Sequence, residues 1–73
     1  MADYSVVLFY SPAHAIRAEK VLSRAGFQIK MIPTPRQLSS DCGMALRFDT
    51  GLEEQVAATL ETKSVPINGI HSI

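Results

Sequence analysis

One cysteine, no tryptophan and only five other aromatic residues, two Tyr and three Phe, occur in this 73-residue chain. A lone cysteine excludes an intrachain disulfide, so no covalent staple supports the fold. Metal stapling is excluded on pattern, because His14, His71, Cys42 and the acids show no ligand spacing. No metal and no resident cofactor are expected. The chain also lacks a C-x-x-C pair and a Gly-rich phosphate loop. No carboxylate pair sits on a shared framework for acid/base hydrolysis. The apolar run Tyr4–Tyr10 is far too short to span a bilayer. The start, MADYSVVLFYS, has neither a basic n-region nor a small-residue cleavage site. The expectation is a protein without membrane attachment, its thiol kept reduced in the cytoplasm.

Net charge is also missing: seven Lys/Arg balance seven Asp/Glu. The balance is uneven along the chain. Residues 1–47 hold six cations and three acids, whereas residues 48–73 hold one cation and four acids. Arg17, Lys20 and Arg24 fall on one helical face by spacing. Such a stripe is read first as a solvated face. No aromatic is interleaved with it to stack a base, so nucleic acid is not an expected partner.

What is present is a chain of short, well-punctuated elements filling one domain, residues 1–73. Tyr4–Tyr10 reads as a central strand, apolar and rich in β-branched and aromatic residues. Ser11-Pro12 supplies an N-cap and a first-turn proline. Ala15, Ala18, Val21, Leu22 and Ala25 give the helix an apolar stripe, and Gly26 closes it. Phe27, Ile29 and Met31 alternate with polar residues as a second strand, which Pro33 and Pro35 end. Met44, Leu46 and Phe48 mark a third. Thr50 and Glu53 form a T-x-x-E capping box for a helix whose core stripe is Leu52, Val56 and Leu60. Val65-Pro66-Ile67 begins a last strand, with Pro66 placing it at an edge.

The order β-α-β-β-α-β gives an α+β, ferredoxin-like sandwich. Its four-stranded antiparallel sheet has strand order 4-1-3-2, with two helices on one face and right-handed crossovers. So short a chain buries little surface, and self-association is expected as support. A homodimer through the second strand or the helix-free sheet face follows, since Pro66 obstructs the fourth strand.

One stretch does not fit the pattern of short connections: Pro33-Thr34-Pro35-Arg36-Gln37-Leu38-Ser39-Ser40-Asp41-Cys42-Gly43. Long loops in compact domains are often functional. In the topology above, the third strand starts beside the end of the first. Cys42 is thereby expected near Ser11, Pro12 and the N-terminus of the first helix, with His14 in that helix's first turn. A helix N-terminus carries partial positive charge. With Arg36 and His14 it would favour a thiolate at Cys42. Ser39, Ser40 and the loop amides offer an anion nest, and Gly43 permits close approach. The alternative is a packed cysteine, since Cys42 shares parity with Met44, Leu46 and Phe48. His71 has no visible partner.

The segment IPTPRQLSSDCGMALRF, after a strand and a helix with a basic face, resembles the small bacterial family of selenium/sulfur carrier-like proteins, the DUF3343 family. Pro33, Pro35, Arg36, Ser39, Ser40, Cys42 and Gly43 carry the likeness, which extends over nearly the whole chain. The resemblance implies a cytoplasmic accessory protein without turnover of its own. Cys42 would hold sulfur or selenium as a persulfide or selenopersulfide and pass it between partner proteins. A cysteine desulfurase-type donor and a TusA-like carrier are the partners implied. The Cys-Pro-x-Pro motif of TusA-type proteins is absent, so their mechanism is not implied. Two rival readings stand beside the carrier. One is an anion- or protein-binding regulatory module with a structural Cys42. The other is a thiol redox sensor.

Overall fold

A computed structural model describes residues 3–38 and 43–73. Ser39, Ser40 and Cys42 of the sequence-predicted site lie outside the described residues. The elements run β1 (Tyr4–Leu8), α1 (Pro12–Arg24), β2 (Lys30–Pro33), β3 (Met44–Asp49), a 3-10 turn (Thr50–Leu52), α2 (Glu53–Thr62) and β4 (Gly69–Ser72). The strands form one four-stranded sheet in the order β2-β3-β1-β4. All three pairings are antiparallel. This is the ferredoxin-like α+β arrangement expected from the element order.

Strand alternation divides the side chains between two faces. Val7 and Phe9 of the β1 segment, and Leu46 and Phe48 of β3, meet Ala15, Ala18 and Leu22 of α1 and Val56 and Leu60 of α2 in one core cluster. Both helices therefore cover the same face. Phe9, Phe48, Leu22, Leu46 and Leu60 are among its largest fully buried side chains, each contributing about 1.5–3 kcal/mol by leaving water. Val6, Leu8 and Ala45 point to the other face and form a second, smaller cluster. They too are buried, which requires a cover other than a helix.

The helix ends follow their local signals in part. Ser11 is extended, as an N-cap must be, but its side chain makes no cap hydrogen bond. Pro12 starts α1 at no cost, because its missing N–H would have had no intrahelical partner. Gly26 has φ +91°, the left-handed backbone that ends a helix without a Cβ penalty. Ala25 is not part of the packed stripe; it is the exposed C-cap.

Four expectations need correction. The T-x-x-E box does not cap α2. Asp49 caps the preceding 3-10 turn instead, its Oδ1 accepting the Gly51 N–H at 2.9 Å. The Thr50 hydroxyl is engaged elsewhere, 2.8 Å from that of buried Ser5. β1 pairs only as far as Leu8. β2 starts at Lys30 rather than Phe27; Phe27 and Ile29 precede the paired segment and pack against the helix-side core. β4 starts at Gly69, so Pro66 precedes the strand.

The last two points exchange the properties of the two sheet edges. The Thr34 N–H donates to the Gly43 carbonyl at 3.0 Å. By ladder alternation, Pro33 then sits where a backbone nitrogen faces away from β3. The outer edge of β2 thereby lacks one donor and is blunted. No proline interrupts β4, so of the two edge strands β4 is the less obstructed.

Candidate functional site

The register fixes where the 33–43 loop leaves and rejoins the sheet. Leu8 at the end of β1 is paired with Ala45 near the start of β3. Pro33, the last residue of β2, is paired with Met44. Both ends of the loop therefore stand at the sheet end where β1 finishes and α1 begins. His14 is in the first turn of α1, half-buried. Its Nδ1 is buried and has no hydrogen-bond partner among the described residues. The first-turn N–H groups of a helix have no intrahelical acceptor. One end of the sheet thus gathers the start of α1, an imidazole nitrogen without a partner among the described residues and both anchors of the loop.

The described half of the loop does not run across the helix N-terminus. Leu38 packs against Val6, Leu8 and Ala45 on the helix-free face, next to Ile32. The Leu38 N–H closes a turn on the Pro35 carbonyl at 3.0 Å. The loop is accordingly pinned to the open face by one leucine. Leu38 is a loop-packing residue that sequence reasoning missed. The signal available was a single large apolar residue in an otherwise polar, Pro- and Ser-rich segment.

Arg36 is exposed and has no partner among the described residues. Pro33 is exposed and Pro35 half-buried, and both hold the chain extended on either side of Thr34. Gly43 is exposed, and a Cβ built there meets nothing within 4 Å among the described residues. Close approach of an internal neighbour is therefore not what requires glycine here. The structure brings Pro33, Pro35, Arg36 and Gly43 to the same sheet end as His14. Cys42, Ser39 and Ser40 fall in the undescribed part of that loop. His71 lies on exposed β4, its ring over Gly69, where a built Cβ would come within 3.1 Å of Nε2.

The basic stripe on α1 is partly structural. One Arg17 Nη2 donates to the Lys63 carbonyl at 3.0 Å, tying α1 to the C-terminal end of α2. Lys20 and Arg24 are exposed. Among the described residues no three His, Cys, Asp or Glu side chains converge to hold a metal ion. No described helix is long and apolar enough to cross a membrane.

A ferredoxin-like sheet anchors both ends of the Pro-x-Pro-Arg loop at the sheet end where α1 begins. The chain belongs to the family described as "Putative Se/S carrier protein-like", which it matches over residues 3–72. No curated protein and no solved structure matches it.

Proposed function

We propose that this protein carries sulfur or selenium on Cys42 between protein partners. The observation that carries this reading is that both loop anchors stand at the sheet end where α1 begins, with His14 in its first turn and His14 Nδ1 buried without a partner among the described residues. The family's description supports the same chemistry. The Cys42 thiol gives up its proton, to His14 or to water, and the thiolate attacks the terminal chalcogen of a donor persulfide. A bond forms between Cys42 Sγ and that atom as the donor's sulfur–chalcogen bond breaks. The electron pair leaves with the donor thiolate. The exchange is redox-neutral, and a second thiolate on an acceptor repeats it to unload the atom. Arg36 and the helix N-terminus stabilise the anionic forms. A cysteine desulfurase-type donor and a TusA-like acceptor fit this role, in the cytoplasm, with no turnover of a small substrate.

The test is intact mass after incubation with a cysteine desulfurase and either cysteine or selenocysteine. The expected result is a gain of one sulfur or one selenium atom, reversed by a thiol reductant and absent in Cys42→Ser. A native protein that gains no mass, while a positive-control carrier in the same tube does, overturns the proposal. The thiol should also alkylate with an apparent pKa below the free value of about 8.5.

A further inference from the structure

At the sheet end opposite the loop, β2 separates from β3. The last pair is Lys30 with Arg47, while β3 continues to Asp49. The chain before Lys30 veers into the helix-side core through Phe27 and Ile29. A cleft of about 730 Å³ opens in the gap, and Lys30, Arg47, Tyr4, Phe27, Ile29 and Leu52 are among the residues that line it. That volume lies within the range of small-molecule sites, about 300–1,000 Å³.

The charges at its rim are unbalanced. Lys30 and Arg47 are direct cross-strand partners, and like charges in that position are destabilising. Among the described residues neither has an acidic partner within ion-pair distance. Arg47 instead lies over the Tyr4 ring, 4.4 Å from its centroid, which holds the guanidinium in place without neutralising it. The one acid of the lining, Asp49, accepts the Gly51 N–H with Oδ1, so the lining carries two cations to one carboxylate. Ladder alternation also directs the Asp49 N–H toward the β2 side, one position past the last pair. Two cations, an open backbone donor and an apolar wall face one space.

We propose that this cleft binds a small organic anion: an acidic head between Lys30 and Arg47, and an apolar body against Phe27, Ile29 and Leu52. The site is independent of Cys42 and of chalcogen transfer. The head relieves the Lys30–Arg47 repulsion, and the body covers apolar surface that the departure of β2 leaves open.

The test is an amide NMR titration at constant ionic strength with two probes, acetate and hexanoate. Saturable shifts are expected at Gln28, Lys30, Arg47 and Leu52 with hexanoate. Burying two of its extra methylenes corresponds to on the order of tenfold tighter binding than acetate. Lys30→Glu should abolish the saturable response and raise the melting temperature, because it turns the like-charge pair into an ion pair. Lys30→Gln, the milder variant, should weaken binding without reversing the charge. Shifts that stay linear, hexanoate binding no tighter than acetate, or Lys30→Glu binding hexanoate as well as the parent would each overturn the proposal.

Discussion

Leu38→Ala tests whether one side chain pins the 33–43 loop. Leu38 is half-buried against Val6, Leu8 and Ala45. Truncating a fully buried leucine costs about 2–5 kcal/mol, part of it for the cavity left behind. Leu38 lies at the rim of the sheet, so the vacated space opens to water and the cavity contribution falls away. Roughly half of the transfer contribution then remains, about 1 kcal/mol. For a domain of this size that corresponds to a fall in melting temperature of about 4–8 °C. The turn from the Pro35 carbonyl to the Leu38 N–H uses backbone alone and survives the substitution. The loop should therefore loosen without losing its entry geometry. Thermal melts by circular dichroism give the stability change, and iodoacetamide labelling against pH gives the thiol. The apparent pKa of Cys42 should move up toward the free value of about 8.5 as the loop is released. A melting temperature within about 1 °C of the parent, together with an unchanged labelling profile, would refute the claim that Leu38 anchors the loop.

Arg36→Ala removes an exposed cation without a partner among the described residues, so stability should change by no more than about 0.5 kcal/mol. The Cys42 thiol pKa should rise and chalcogen loading should slow. Unfolding on this substitution, with reactivity of the folded fraction unchanged, would make Arg36 structural. Gly26→Ala meets no steric obstacle but must adopt φ +91°; a loss of about 1–2 kcal/mol by urea denaturation is expected, and an unchanged midpoint would count against a left-handed helix end. Ser5→Ala breaks the 2.8 Å contact with Thr50 that ties β1 to the start of the 3-10 turn. It should cost about 1 kcal/mol. Full additivity with Thr50→Ala in a double-mutant cycle would show that the two hydroxyls are not coupled.

Much of this protein is settled by local sequence. Ser11-Pro12 and Gly26 bracket α1, because a first-turn proline and a left-handed glycine are features of the backbone itself. The alternation through Met44–Phe48 sets which β3 residues face the helices, since a strand has period two wherever it pairs. The element order then leaves little freedom in topology, and the β2-β3-β1-β4 sheet follows. The family was legible as well, in the residues of the Pro-x-Pro-Arg loop.

Tertiary structure decided what depends on contacts between distant residues. Phe27 and Ile29 carry strand periodicity and pack against the helix-side core as Met31 does, yet the chain pairs with β3 only from Lys30 onward. The Lys30–Arg47 cleft lies in the gap this leaves. Thr50 has the spacing of a cap, but buried Ser5, 45 residues away, engages its hydroxyl, and Asp49 takes over as cap. Leu38 has no periodicity to announce it. Only the assembled sheet provides the uncovered patch of Val6, Leu8 and Ala45 on which it settles. Hydrophobic burial is non-directional, so an isolated apolar residue in a loop finds its partner only once the long-range pairing has created a surface to bury.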